Sequence, residues 1–539
     1  MKKQFLSTSL ALLLCLSCAA QKNTAEKFSV SINKENAYKH LSVLASDEYE
    51  GRETGKKGAW MAADYIKNYF KSLGLKGPVN GDYFQPIDMV TYNLSGMKFS
   101  INGQPKQYGK DFVISSSTVT LDGFNFNTSE IVFAGYGLDQ QGYNDFEGID
   151  VAGKVVLLFA SGDPTIKGGS PAPADRASRR KMMAAQQAKI QYLAAHKALA
   201  VIQIDPSLDQ ITEEMKANYS GAGQPMLKNA ENTAKMQGTK TLASIRVTTA
   251  TANELLKAAG TTVAALQEKI VSAVKPASQL IKVAVSGSAS KAEVKVRAEN
   301  VLGFLEGSDP VLKDEILVVT GHYDHIGLTT SGTDKVNNGA DDDGSGTTGV
   351  LLIADAFVKA KKAGKGPKRS ILFMTVVGEE KGLLGSEWYS EHPVFPLAKT
   401  ITDLNIDMIG RVDEAHKDNP EYIYIIGSDM LSSDLNAIGI KANEDNIKMN
   451  LDMKYNNRTD PNQFYYRSDH YNFAKHGIPV IFYFSGVHED YHQPGDEVSK
   501  INFDLLSKRA QLVYYTAWEL ANGAKRPVVD KNDDGTAKK

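Results

Sequence analysis

Four apolar segments of the chain each run into residues that can bind a metal ion. The segments are typical of buried β-strands, and a histidine or a carboxylate follows each one closely. They are residues 315–320 before His322, 370–377 before Glu379 and Glu380, 404–406 before Asp407, and 478–484 before His488 and His492. In open α/β sheets, sites form beyond the carboxyl ends of the strands. The sequence therefore predicts that these side chains converge.

An acidic loop supplies the remaining carboxylates. Asp341, Asp342 and Asp343 are consecutive, and the segment after them carries apolar residues at the spacing of one buried helix face. A run of three aspartates is by itself more typical of a solvated loop than of a cation site. Three consecutive carboxylates can nevertheless attract a cation.

Local geometry predicts different roles for neighbouring side chains. On an extended strand, His322 and Asp324 point to the same side. The Asp324 carboxylate can then hold the second imidazole nitrogen and leave the first free for metal. Glu379 and Glu380 are adjacent and should diverge, so that one binds metal while the other reaches a water. Nitrogen and oxygen donors suit Zn, and also Co or Mn.

These motifs resemble one family, the two-zinc exopeptidases that include bacterial leucyl aminopeptidases and glutamate carboxypeptidase. The resemblance extends from Ser46–Gly55 to Tyr491–Asp496. It implies two zinc ions per chain, with Asp342 bridging both and Glu379 as the general base. The other ligands that it implies are His322, Glu380, Asp407 and His492. His325 and His488 have no place in this pattern and are interpreted as pocket-lining or structural.

The pattern of segments predicts an α/β fold in two parts. Strand-like and helix-like segments alternate from residue 300, which indicates a mostly parallel sheet flanked by helices. We assign residues 24–111 and 291–523 to this catalytic domain. Residues 112–290 are rich in β-type segments, and Gly135-Tyr136-Gly137 and Asp150–Val156 resemble a protease-associated domain. Residues 524–539 are polar and predicted to be disordered.

The first 20 residues are typical of an export signal. Lys2 and Lys3 precede an apolar stretch and then small residues. Leu16-Ser17-Cys18-Ala19 resembles the cleavage signal of bacterial lipoproteins, with Cys18 as a lipid anchor, although cleavage after Ala20 also fits. We expect a periplasmic protein, an outer-membrane lipoprotein or a secreted protein.

Composition excludes several classes of function. The chain has 61 basic and 63 acidic residues, so no strong field favours nucleic acid as a partner. No segment of the mature chain is apolar for the roughly 20 residues that a membrane-spanning helix needs. Both cysteines, Cys15 and Cys18, lie in the signal, which excludes a thiolate metal site or a cysteine nucleophile in the mature chain.

The predicted activity is hydrolysis of peptide bonds at chain ends, as an aminopeptidase. One alternative is a carboxypeptidase for acidic C-terminal residues, which would need arginines such as Arg411, Arg458 or Arg467. Another is a glutaminyl cyclase with one zinc ion on the same fold. The Ser468-Asp469-His470 segment is not expected to form a catalytic triad, because residues adjacent in sequence rarely do.

Overall fold

The computed structural model describes residues 24–166, 176–212, 216, 219, 223–238 and 242–538. The chain divides into two compact units, one formed by Met1–Met89 with Val296–Lys539 and the other by Val90–Lys295. The predicted signal lies outside the described residues. The second unit is wider than the predicted insert, because the strands Met89–Ile101 and Val285–Val296 are neighbours in one of its sheets. The sequence-based boundaries at 112 and 290 are therefore wrong.

The first unit is built on one eight-stranded sheet. In chain order its strands are β1 Phe84–Pro86, β2 Glu299–Leu305, β3 Ile316–His322, β4 Ser370–Val376, β5 Thr400–Ile406, β6 Tyr422–Ile426, β7 Asn450–Asp452 and β8 Val480–Phe484. Their spatial order is β1-β2-β4-β3-β5-β8-β6-β7. The four central strands, β4, β3, β5 and β8, are parallel to one another. This confirms the predicted mostly parallel sheet.

Helices accompany this sheet along the chain. They are α1 Lys34–Leu44, α2 Lys57–Leu73, α3 Gly346–Lys362, α4 Leu384–Glu391, α5 Ser433–Ala442, α6 His470–Ala474 and α7 Phe503–Asn522. In α3, Val350, Ile353 and Phe357 are fully buried, as the apolar spacing predicted. Every residue of β3, β4 and β5 is buried as well. The two-sided burial of these strands explains their continuous apolar runs.

The second unit holds two larger sheets and a small one. The six-stranded sheet has the order Gln279–Ile281, Ile131–Phe133, Val155–Phe159, Ala200–Ile204, Ala243–Val247, Phe112–Val113. The other contains Met226–Leu227, Met89–Ile101, Val285–Val296 and Phe124–Thr128, with Gln104–Pro105 paired to the second of these. Asp139–Gln140 pairs with Tyr143–Asn144. Its helices are Arg176–Ala195, Ala230–Gly238, Thr249–Leu256 and Val263–Ala273. The likeness to a protease-associated domain stays a prediction.

The C-terminal segment corrects a prediction. Residues after Gly523 were expected to be disordered, but the described part, up to residue 538, is attached to the first unit by hydrogen bonds. The Asp530 carboxylate accepts from the Ser433 amide at the start of α5, and Lys531 pairs with Asp429. The polar composition of this segment indicated disorder because the segment has little apolar surface to bury. One of its polar side chains, Asp530, instead forms a hydrogen bond with a backbone amide that has no partner within the helix.

Membrane-spanning elements were searched for among the described residues. No helix in this part of the chain combines the length and the apolar character needed to cross a bilayer.

Candidate metal centre

The carboxyl ends of the central strands bring the predicted ligands together. His322 is the last residue of β3, Asp407 follows β5 directly, and Asp342 lies just before α3. Potential ligand atoms fall into two groups, each with its atoms within 4.8 Å of one another. The first group consists of His322, Asp342 and Asp407, and the second of His325, Asp342, Glu380 and His492. Asp342 belongs to both groups, as a bridging ligand would.

The two oxygens of Asp342 face different groups. Oδ1 lies 3.4 Å from His322 Nε2, which is in turn 3.7 Å from Asp407 Oδ1. Oδ2 lies 3.1 Å from His492 Nε2, which is also 3.1 Å from Glu380 Oε2. Tetrahedral zinc with bonds of about 2.0–2.1 Å separates its ligand atoms by about 3.3 Å. The spacing of both groups therefore fits zinc.

Several ligand atoms have no hydrogen-bond partner among the described residues. These buried atoms are His322 Nε2, Asp342 Oδ2, Glu380 Oε1 and His492 Nε2. An unsatisfied buried polar atom costs roughly 1–3 kcal/mol, and more when it is charged. Cations bound in the two groups would satisfy these atoms. The donor set thus fits the metal ions that the sequence predicted.

The three consecutive aspartates have separate tasks. Asp343 accepts hydrogen bonds from the amides of His322, Gly346 and Met408, at 2.9 to 3.0 Å. Asp341 accepts from the Gly410 amide at 2.5 Å. Both side chains are fully buried anchors that tie the acidic loop to the ends of β3 and β5. Only the middle aspartate points its carboxylate into the ligand groups.

Asp496 fixes the loop from the other side. Its carboxylate accepts from the amides of Asp341 and Asp342, at 3.0 to 3.1 Å. The motif that ends in Asp496 therefore supplies both a ligand, His492, and a support for the bridging aspartate. Burial raises the pKa of Asp496 to about 6, and the nearby Asp341 adds to this.

Arg52 is a structural residue that the sequence interpretation did not single out. Its guanidinium is fully buried and donates to four backbone carbonyls, at 2.7 to 2.8 Å. The acceptors are Leu44, Tyr323, Asn338 and Gly339. Arg52 thus joins the N-terminal segment to both ligand-bearing loops. Its place in the Ser46–Gly55 motif was the signal that could have identified it.

Asp324 orients His322 by a different atom from the one predicted. His322 Nδ1 lies 3.0 Å from the backbone carbonyl of Asp324, whereas the carboxylate Oδ1 is 3.8 Å away. The carboxylate accepts from the Thr54 hydroxyl at 2.6 Å and from the Glu379 amide at 3.3 Å. The prediction assumed that the strand continued, but β3 ends at His322 and the backbone turns. Asp324 therefore also positions Glu379.

The adjacent glutamates occupy different surroundings. Glu379 Oε2 lies 3.8 Å from His322 Nε2 and belongs to neither ligand group, whereas Glu380 belongs to the second. Burial raises the pKa of Glu379 well above its usual range, and the charges of Asp407 and Glu380 add to the shift. Burial also acts to raise the pKa of Glu380, but the nearby imidazoles of His325 and His492 lower it overall. The two adjacent carboxyl groups thus lie in different electrostatic surroundings.

A pocket beside Asp342, Glu379 and Asp407 is lined by both polar and apolar side chains. Its other lining residues are Met408, Phe464, Arg467, Phe482, Phe484, Val487 and Tyr491. The Arg467 guanidinium lies 4.9 Å from the centre of the Phe464 ring. The other candidate arginines are engaged elsewhere, since Arg411 pairs with Asp490 at 3.0 Å and Arg458 donates to the Met430 carbonyl. Only one of the three arginines lines this pocket.

The Ser468-Asp469-His470 segment supports the centre and forms no triad. The Ser468 hydroxyl donates to Asp407 Oδ2 at 2.8 Å, which leaves Oδ1 facing His322. Asp469 accepts from the Ser386 hydroxyl, and the His470 ring stacks on Phe482. His470 has no hydrogen-bond partner on either ring nitrogen among the described residues. The Ser468 hydroxyl is thus held by the Asp407 carboxylate.

The chain was compared with known protein families and with known proteins. Residues 300–517 match the model of peptidase family M28. A probable zinc metalloprotease of Pyrenophora tritici-repentis is 28% identical over 281 residues, which cover 45% of this chain and 56% of that protein. Leupeptin-inactivating enzyme 1 of Streptomyces exfoliatus is 28% identical over 42% of this chain and 50% of its own length. The chain spans about half the length of these curated relatives.

The chain is also similar to solved structures. A zinc aminopeptidase from Bacillus subtilis aligns over 92% of this chain and 97% of its own, with 19% identity and a TM-score of 0.49. The family match agrees with the motifs that indicated a metallopeptidase.

Proposed function

We propose that this chain, whose residues 300–517 match the model of peptidase family M28, is a two-zinc exopeptidase that removes residues from the N-termini of peptides. The observation that carries the proposal is the pair of ligand groups that share Asp342. A glutaminyl cyclase with one zinc ion would need only one such group. The protein residues of the two groups fit two ions.

The side chains of the centre have distinct roles in this hydrolysis. The zinc ions, when bound, would lower the pKa of a water molecule and polarise the scissile carbonyl. Glu379 accepts the proton of the attacking water and returns it to the leaving amine. Its position beside His322 but outside both ligand groups supports this role. Asp324 holds the Glu379 amide, so it positions the general base.

The three phenylalanines that line the pocket support specificity for an apolar terminal side chain. Burying one such side chain against Phe464, Phe482 and Phe484 would contribute about 1.5–3 kcal/mol. Arg467 favours a second candidate, the carboxypeptidase for acidic C-terminal residues, because it can receive a carboxylate. An acidic C-terminal residue presents two carboxylates, however, and the other two candidate arginines are engaged elsewhere. The aminopeptidase is the better supported of the two.

Two substrate series would test this proposal. The zinc-loaded protein should cleave leucyl and phenylalanyl anilides faster than glutamyl anilide, and should leave peptides with a blocked N-terminus intact. Release of C-terminal glutamate from a blocked peptide would favour the carboxypeptidase instead. Metal analysis of the same samples should give two zinc ions per chain, and one ion with cyclase activity would overturn the proposal.

Export is part of the proposed function. It is supported by the sequence of the first 20 residues, in which Cys18 is the candidate site of lipid attachment. Mass spectrometry of the mature N-terminus would distinguish a lipid-modified Cys18 from cleavage after Ala20. A mature protein that keeps Met1 would contradict export.

A further inference from the structure

His325 is a buried histidine without hydrogen bonds from its ring. Its side chain is fully buried, and neither Nδ1 nor Nε2 has a hydrogen-bond partner among the described residues. A buried imidazole usually has at least one partner, because each unsatisfied nitrogen costs free energy. The imidazole of His325 is therefore expected to bind a group that is not part of the protein.

The nearest atoms indicate what that ligand is. His325 Nδ1 lies 2.8 Å from Glu380 Oε1 and 3.7 Å from Asp342 Oδ2. Although Nδ1 and Oε1 are close, they are not aligned as a hydrogen bond, and both lack partners. Two ligand atoms that lie close together without being aligned as a hydrogen bond can both point at one metal ion. These distances bracket the spacing of about 3.3 Å between ligands of tetrahedral zinc.

The backbone holds this imidazole in place. The amide of His325 donates to the Arg52 carbonyl, and His325 forms a parallel bridge with Glu53. On the other side, a Cβ added to Gly339 would lie only 2.5 Å from His325 Cδ2. The ring therefore packs directly against the Gly339 backbone. Such fixed placement is typical of a metal ligand, which must be held close to its productive geometry.

We infer that His325 is a fourth protein ligand of the second metal position, and that the two positions are therefore unequal. This inference rests on the proposed two-zinc centre. The second position has four protein ligands, His325, Asp342, Glu380 and His492. The first has three and keeps one coordination place open. Four protein ligands are typical of firmly held zinc, and three with an open place are typical of catalytic zinc.

X-ray absorption spectroscopy of the zinc-loaded protein tests this inference without any mutation. Imidazole gives a characteristic scattering pattern, so the number of histidines bound per zinc can be fitted. We expect three imidazoles for every two zinc ions, from His322, His325 and His492. At one equivalent of zinc, the firmer position should fill first and give two imidazoles on one ion. Two imidazoles for two ions would overturn the inference but leave the two-zinc exopeptidase intact.

Zinc affinity supplies a second test. We expect His325→Ala to weaken the tighter of the two binding events by at least about 10-fold to 100-fold, measured by competition with a chromophoric chelator. The weaker event should be unchanged. His488→Gln is the matched control, because His488 is also buried and its ring nitrogens also lack a hydrogen-bond partner among the described residues. Neither His488 nor the carboxylate beside its ring, Asp341 at 3.3 Å, belongs to a ligand group. This control should keep both affinities.

The variants also separate ligation from packing. If His325→Ala fails to fold, His325→Gln keeps the size and polarity of the side chain, and the spectrum of the unmodified protein remains decisive. A folded His325→Ala protein with unchanged affinities would overturn the inference. A protein that binds no zinc at all would instead overturn the proposed function.

Discussion

The two units of the chain each contain four adjacent parallel strands, yet among the described residues a set of unsatisfied ligand atoms lies beyond these strands in the first unit only. In the second unit these strands are Ile131–Phe133, Val155–Phe159, Ala200–Ile204 and Ala243–Val247. Asp205 follows the third of them and pairs with Arg246 at 2.9 Å. In the first unit, by contrast, His322 Nε2 and Asp342 Oδ2 have no hydrogen-bond partner among the described residues.

Asp145 of the second unit extends this comparison. Its carboxylate is fully buried and accepts from the amides of Tyr136 and Leu138 and from the Tyr143 hydroxyl. Every one of these partners comes from the protein. A parallel sheet thus brings polar groups together at one edge. A ligand-binding site also requires that some of these groups have no hydrogen-bond partner within the protein. Substitutions in the two units should therefore have different effects.

The largest effect is expected for Asp342→Asn in the first unit. The amide removes the negative charge between the two ligand groups, so both positions should lose zinc. Activity should fall by more than the 10²-fold to 10⁴-fold expected for loss of a general base alone. Zinc content by atomic emission and turnover on a leucyl anilide check this. Asp205→Asn, a substitution of the same type in the second unit, should keep its zinc. Full zinc occupancy in Asp342→Asn would contradict the assignment.

The next largest effect separates the two adjacent glutamates. Glu379→Gln should keep both zinc ions but lose about 10²-fold to 10⁴-fold in kcat, because the amide cannot accept a proton. Glu380→Gln should instead lose zinc from the second position, and high zinc should restore part of its activity. Measuring bound zinc and kcat for both proteins is the check. The roles are reversed if Glu379→Gln loses metal and Glu380→Gln does not.

A smaller effect, on stability alone, is expected for Asp145→Asn in the second unit. The neutral amide can keep its oxygen toward the two backbone amides and its nitrogen toward the Tyr143 hydroxyl, but it loses the charge that strengthens these hydrogen bonds. We therefore expect a loss of about 1–3 kcal/mol from the unfolding transition of this unit. Urea unfolding followed by fluorescence measures the loss. Zinc content and the turnover of folded molecules should stay unchanged. A loss of zinc would contradict the conclusion that the hydrogen bonds of Asp145 affect stability alone.

The smallest effect is expected at the C-terminal segment. Asp530→Ala removes the acceptor of the Ser433 amide at the start of α5. The segment should become more accessible to proteases, with no measurable change in turnover or Tm. Limited proteolysis followed by mass spectrometry shows this, with Asp533→Ala as a control, because no hydrogen bond to a helix start is seen for Asp533. Equal cleavage rates in the two variants would contradict the attachment.

The sequence predicted those parts of the centre that depend on local pattern. The apolar runs identified β3, β4, β5 and β8, and the residues after them include His322 and Asp407. His325 was interpreted differently, because its orientation depends on a bridge to Glu53, far away in the chain. The role of the Asp324 carboxylate was misjudged for a similar reason, since the end of β3 at His322 could not be located from its residues.

The boundaries of the second unit were also mispredicted because they depend on a contact between residues distant in sequence. The first strand of this unit, Met89–Ile101, pairs with its last strand, Val285–Val296, so neither strand can be assigned to the unit from its own composition. The C-terminal segment was misjudged because its partners, Ser433 and Asp429, lie in an earlier helix and loop. Contacts between residues distant in sequence were thus the main source of error.

The four hydrogen bonds of Arg52 bear on how the protein is made. Three of them reach residues 323 to 339, which leave the ribosome only after the whole second unit has been synthesised. His492 emerges later still. Such a high contact order slows folding, since long loops must close before their contacts form. The N-terminal segment must therefore wait for the C-terminal half of its own unit, and a nascent chain that ends before residue 492 lacks part of the ligand set.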